Sequence, residues 1–199
     1  MHYLGVDLGE LIRAVGLVGL FIIVFAETGL FLGFFFPGDS LLFVAGLLAA
    51  QGLFFLPVLM GALLIAAITG NMTGYWFGKK VVPKLFERDD SLLFRKAHVR
   101  KAQLFYEKHG AKTIMLARFV PIVRTFAPIV AGIAEMNYQG FLVYNVLGAV
   151  LWTVGLTVGG YLFGSLITDV DHYLLPVVLG IIVLSFLPAI WHVWKERRV

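Results

Sequence analysis

"ARFVPIVRTFAP", residues 117–128, sets Arg118 and Arg124 in an otherwise apolar run and interrupts that run with Pro121 and Pro128. Arginine stays charged in any protein environment. Proline removes a backbone donor and crowds the preceding turn of a helix. The combination calls for a place where charge is paired and the backbone is irregular, inside apolar surroundings.

Those surroundings extend along most of the chain. Its 199 residues are 60% hydrophobic, include 18 phenylalanines and have a mean hydropathy of +0.90. Soluble domains are roughly 45–50% apolar, and a domain of this size has no core large enough for so many phenyl rings. A membrane protein needs no such core, because lipid is its solvent. The chain has no cysteine, which excludes disulfides and thiolate metal sites. His2, His98, His109, His172 and His192 are scattered and read as polar interface residues rather than ligands, so neither metal nor cofactor is expected. Asn71-Met72-Thr73 matches a glycosylation sequon but lies in an apolar span, where the match reads as coincidence. Asp7 and Glu10 precede the first apolar run, and only Arg13 there is basic, so that run reads as retained rather than cleaved.

Charge orients the segments. Residues 14–78 carry only Glu27 and Asp39, whereas 79–112 hold ten Lys/Arg and four Asp/Glu. The apolar positions of that loop, Leu92, Leu93, Val99, Leu104 and Phe105, have the spacing of an amphipathic helix. Residues 138–165 are uncharged; the acidic turn "TDVDHY" (168–173), an apolar span (173–194) and the tail "KERRV" follow. Lys/Arg enrichment marks cytoplasmic segments, which puts 79–112 and the tail inside and Asp169–Asp171 outside. The basic loop is a solvated face suited to anionic lipid headgroups.

Parity then constrains the path. Residues 53–78 run from outside to inside and 138–165 from inside to outside, so 113–137 must start and finish inside. Broken by Pro121 and Pro128, that segment reads as a re-entrant hairpin. Residues 28–52, broken at "FPGD" (36–39), form the matching hairpin from outside, with Pro37 and Gly38 as its hinge. A single crossing by 11–27 places the N-terminus in the cytoplasm, together with the C-terminus. A shift of 86 residues superposes Val44-Ala45-Gly46 on Val130-Ala131-Gly132 and "GYWFG" (74–78) on "GYLFG" (160–164), nine identities in 39 positions. The expected fold is therefore an all-α polytopic membrane protein, one membrane domain over 1–199. It is built as an inverted repeat of re-entrant hairpin plus transmembrane helix, with flanking helices. Secondary transporters recurrently use this plan.

Glu27, Asp39, Arg118 and Arg124 all lie at membrane depth on this reading. An isolated charge at the bilayer centre costs about 2.5–3.5 kcal/mol or more, so four cost roughly 10 kcal/mol unless paired or wet. Two are negative and two positive, and hairpin tips from opposite faces would bring them together. A plain salt-bridge lock accounts for the charges but not for the broken helices around them.

"FAETGLFLGFFFPGDSLL" (25–42), "HGAKTIMLARFVPIVRTFAPIVAGIAEM" (109–136) and "NVLGAVLW" (145–152) resemble the DedA family, also called the VTT or SNARE-associated Golgi protein family. The resemblance covers roughly 20–165 and implies a multi-pass protein of the bacterial inner membrane with two re-entrant hairpins. It implies a transporter that moves a phosphate-headgroup lipid, polyprenyl phosphate or a phospholipid, between leaflets and depends on the proton motive force. The family's acidic pair falls on Glu27 and Asp39 and its basic pair on Arg118 and Arg124. Arginine grips phosphate through parallel hydrogen bonds, so Arg118 and Arg124 would hold the headgroup. Glu27 and Asp39 would pair with them in the empty site and take up a proton (or bind sodium) when displaced. No nucleic-acid partner is expected. The competing reading is a proton-coupled antiporter of small ions or drugs. A lipid-phosphate phosphatase needs a nucleophile near the basic pair, and the nearest histidine in sequence is His109. A purely structural scaffold is the remaining alternative.

Overall fold

The computed structural model describes residues 8–29, 38–81, 104–106 and 108–166, and the regular elements among them are helical. In chain order they are α1 (Leu8–Gly29), α2 (Gly38–Ala50), α3 (Leu56–Trp76) continued by a π turn (Phe77–Val81), α4 (Lys112–Ala117), α5 (Pro121–Ile133) and α6 (Tyr138–Leu166).

Length sorts them against a bilayer. Leu56–Val81 has 26 residues and Tyr138–Leu166 has 29. At 1.5 Å per residue they reach roughly 39 and 43 Å, beyond the roughly 30 Å of hydrocarbon. Helices α2 and α5 have 13 residues each, or roughly 20 Å, too short to cross. Helix α1 is interrupted at Gly16, whose φ of 61° is left-handed, leaving Gly16–Gly29 as its apolar segment. The crossing expected of residues 11–27 is thus not made by one unbroken helix.

The turns follow from local chemistry. Helix α4 stops at Ala117, and Val120 is extended (φ −119°, ψ 107°), as the residue before a proline prefers. Pro121 occupies the start of α5, where its missing N–H costs nothing. Pro128 is different from expectation: it lies inside α5, which continues through it. Its effect is local, since the amide it lacks is the helical donor to the Arg124 carbonyl. Gly38 opens α2; Pro37 lies outside the described residues, as do most of the 79–112 loop, the 168–173 turn, the last span and the tail.

Packing relies on small residues. Helix α1 lies on α3 and α2 lies on α6; α5 packs on α3 and its π turn, and α4 fits between α5 and α6. A Cβ at Gly46 would fall 2.0 Å from the Thr157 carbonyl oxygen, one at Gly160 1.9 Å from that of Phe43, and one at Gly78 2.1 Å from that of Ile129. Backbones meet directly at these points, the usual way membrane helices associate. Leu42, Val44, Leu47, Leu48, Leu59 and Leu63 form the main core. A second core centres on Tyr75, whose ring stacks on Phe141 at 4.5 Å. Outward faces are apolar as well: Val58, Ile65, Val143, Leu147, Leu151 and Leu162 are exposed. Helices apolar on every side suit a lipid environment. The Tyr106 hydroxyl donates to the Ala127 carbonyl at 3.0 Å, tying the segment before α4 to α5, and burial pushes its pKa up to about 12.

Candidate functional site

The four charged residues singled out by the sequence stand at helix ends. Glu27 is in the last turn of α1 and Asp39 in the first turn of α2. Arg118 caps the C-terminus of α4, and Arg124 is in the first turns of α5. The helix dipole favours Asp39 and Arg118 where they are and disfavours Glu27 and Arg124. The disfavoured pair bond each other: Arg124 Nη2 donates to Glu27 Oε1 at 2.5 Å. Arg124 Nη1 donates to Asp39 Oδ1, also at 2.5 Å. Glu27 is 0% exposed and Arg124 3%.

Trp152 of α6 completes this half of the site. Its indole Nε1 donates to Asp39 Oδ1 at 2.7 Å, and the Arg124 guanidinium carbon lies 4.6 Å from its ring centroid. One side chain thus contacts both members of an ion pair, as a donor to the anion and a π face to the cation. Gly38 makes room for the carboxylate: a Cβ there would fall 1.7 Å from Glu27 Oε2. Only glycine at that position lets α2 begin against Glu27.

Arg118 has a different environment. It is 1% exposed. Its Nη2 donates to the Ala67 carbonyl at 3.0 Å and to Asn145 Oδ1 at 2.6 Å. Asn145 in turn donates to the Ile68 carbonyl at 3.1 Å. Asn71 Nδ2 lies 3.0 Å from Asn145 Oδ1, to which it donates in one amide orientation; in the other orientation Asn71 donates to the Thr28 carbonyl and accepts from Arg118 Nη2, each at 3.0 Å. The expected two-on-two pairing is therefore replaced by a two-on-one arrangement. Both carboxylates close on Arg124, and Arg118 is held by neutral acceptors. Among the described residues, Arg118 Nε and Nη1, Arg124 Nε and Glu27 Oε2 have no hydrogen-bond partner. Buried groups of this kind are normally satisfied, so the site retains unused capacity, two of these four atoms being on Arg118.

Sequence reasoning found the four charges and missed Trp152, Asn145 and Asn71. The signal for the two amides was available: a side-chain amide in an apolar span is costly unless bonded. Asn71, set aside as a chance sequon, belongs to the network.

Fold and site together define an all-helical membrane protein whose apolar helices enclose a mutually compensating set of charges. Comparison gives the family. The VTT domain model matches residues 36–162. The chain is 47% identical to Protein DedA of Escherichia coli (strain K12) over 98% of its own length and 91% of that protein. It is 40% identical to an uncharacterized membrane protein of Mycobacterium leprae (strain TN), over 89% and 79% of the two chains. Identity to Inner membrane protein YqjA of Escherichia coli (strain K12) is 33%, over 89% and 84%. The chain belongs to the DedA family of membrane proteins. No solved structure matches it.

Proposed function

We propose that this protein carries a lipid with a phosphate headgroup, such as polyprenyl phosphate or a phospholipid, between the leaflets of the bacterial inner membrane, coupled to the proton gradient. The observation that carries the proposal is the buried site itself: two arginines and two carboxylates at four helix ends, with the guanidinium of Arg118 only partly bonded. A structural lock would saturate its charges. A transfer site must leave donors for a charge that arrives later.

Charge counting supplies the coupling. Glu27, Asp39, Arg118 and Arg124 sum to zero when all are ionised. A phosphate arriving in this low-dielectric site leaves excess negative charge, which desolvation disfavours. Phosphate competes with the carboxylates for Arg124, and the carboxylate that loses its partner takes a proton. Arg118 and Arg124 bind the headgroup in this scheme; Glu27 and Asp39 exchange the proton. Gly38 and Pro121 set the helix ends that face the site.

Two features support the proposed inverted repeat of re-entrant hairpins. Helices α2 and α5 are too short to cross, and each packs on the long helix of the other half: α2 on α6, α5 on α3. Within both pairs rising numbers on one helix meet falling numbers on the other, Phe43 with Gly160 and Gly46 with Thr157, Ile129 with Gly78 and Gly132 with Tyr75. The end of α3 supports its cytoplasmic assignment: Lys80 Nζ lies 4.7 Å from the Trp76 ring centroid, an aromatic and basic anchor suited to a cytoplasmic interface.

The test is reconstitution in vesicles under an imposed proton gradient, with leaflet-resolved assay of polyprenyl phosphate and common phospholipids. Gradient-dependent transfer is the expected result. Counterflow of a soluble cation without lipid movement would instead establish the antiporter reading, and release of inorganic phosphate would establish hydrolysis.

A further inference from the structure

We infer that Asn145, assisted by Asn71, is a positioning residue that holds the Arg118 guanidinium without a counter-ion, so that its unpartnered N–H groups receive a phosphate oxyanion. This deepens the proposed function and rests on it for the identity of the ligand.

The observations are geometric. Asn145 is fully buried at 0% exposure on α6, and its oxygen is the closest partner of Arg118, 2.6 Å from Nη2. Its nitrogen is fixed by the Ile68 carbonyl at 3.1 Å, so the oxygen cannot turn away without leaving that donor unpaired. The Ala67 carbonyl and Asn71 converge on the same Nη2. Every named contact to the guanidinium therefore falls on one nitrogen, and Nε and Nη1 have no partner among the described residues. The side-on fork of a guanidinium pairs Nε with Nη2, and Nη2 is already engaged, so Nε and Nη1 offer their hydrogens to an anion from separate sides of the group. Gly148 borders Nε: a Cβ there would lie 3.4 Å from Nε and 3.0 Å from Cδ, so any side chain would crowd it.

Aspartate has nearly the shape of asparagine and would neutralise Arg118 at once. An amide at that position anchors the guanidinium while leaving its charge available. The same logic explains why the two carboxylates gather on Arg124: Arg118 is kept for the incoming anion and Arg124 holds the proton-exchanging groups.

A purely structural role and the positioning role predict opposite orders for two variants. Asn145→Asp supplies a buried arginine with a carboxylate and would strengthen a structural contact. Asn145→Ser keeps a neutral but shorter acceptor and would weaken it. We expect Asn145→Asp to lower lipid-phosphate transfer by about tenfold or more, the scale of a lost charge-assisted contact, with thermal stability retained. Asn145→Ser should keep transfer to within about threefold despite lower stability.

Binding is read separately, as the shift in unfolding temperature caused by dodecyl phosphate, by inorganic phosphate alone and by dodecyl trimethylammonium. Dodecyl phosphate should stabilise the native protein and Asn145→Ser, and should leave Asn145→Asp unmoved. An equal shift with inorganic phosphate would identify free phosphate as the ligand of the same site. Should Asn145→Asp fail to fold, Asn71→Asp places the carboxylate against the same guanidinium nitrogen and is measured in the same way. Asn145→Asp that retains both transfer and the dodecyl phosphate shift overturns the inference while leaving transport intact, and so does Asn145→Ser that loses both as completely as Asn145→Asp. Native protein that shows the phosphate shift, abolished in Asn145→Asp, but no leaflet transfer would sink the transport reading and leave the anion site standing.

Discussion

Arg124 carries the electrostatic load of the site. It ties Glu27 and Asp39, from two different helices, to a third. Removing its charge leaves the buried Glu27 and the partly buried Asp39 without this cation, so Arg124→Gln should cost about 3–5 kcal/mol of stability in detergent. The double variant Arg124→Gln/Glu27→Gln should recover part of that loss, because one stranded anion is gone; thermal unfolding of the two variants decides it. Arg124→Lys keeps the charge but loses the planar fork. It should insert and fold yet transfer lipid poorly, down by about tenfold. Trp152→Phe retains the ring beside Arg124 and loses the N–H to Asp39. A hydrogen bond to a charged group contributes about 1.5–3 kcal/mol, so this variant should unfold earlier by a measurable margin while Arg124→Gln unfolds earlier still.

Glycine contacts organise the elements. Where α2 crosses α6, Gly46 and Gly160 meet carbonyl oxygens of the opposing helix, and an added Cβ would lie within 2.0 Å of them. On the same helix α6, a Cβ added at Gly155 would meet nothing within 4 Å. Alanine at Gly46 or Gly160 should therefore separate the helices and lower the yield of folded protein, while Gly155→Ala should be neutral or stabilise by about 0.5–1 kcal/mol from helix propensity. Unfolding of the three purified variants, compared side by side, tests whether backbone contact holds α2 on α6. Pro121 and Pro128 teach a related lesson: the same residue starts α5 at one position and sits within it at the other. A proline removes one donor, and whether a helix breaks there depends on what lies before it. Val120 is extended before Pro121, whereas Pro128 follows a helical turn already built.

At the scale of the whole molecule, the proposed topology has consequences at described, exposed positions. Gln51, in the turn between α2 and α3, belongs outside, and His109, before α4, belongs inside. The chain has no cysteine, so single cysteines report without background. Gln51→Cys in intact cells should be blocked by an impermeant thiol reagent, and His109→Cys only by a permeant one. Both reacting with the impermeant reagent would rule out the inverted arrangement. Much of the 79–112 loop, the acidic turn and the final span lie outside the described residues, so orientation rests on charge and on the Trp76–Lys80 anchor.

The membrane class and the four charges set within apolar stretches were legible from the sequence, for one physical reason. Apolar side chains in excess of any soluble core require lipid, and charges within apolar sequence are too costly to be incidental. Charge balance is likewise a property of composition, so the sequence by itself determined that the four must come together. It could not determine who pairs with whom. Arg124 is 97 residues from Glu27 and 85 from Asp39, and pairing at that separation depends on which helix ends the packing brings side by side. The approach of α1 to α3 and of α2 to α6 through glycine set that geometry. Only the tertiary structure decided that Arg124 takes both carboxylates and that Arg118 is held by two asparagines, because a guanidinium bonds the acceptors that packing places beside it.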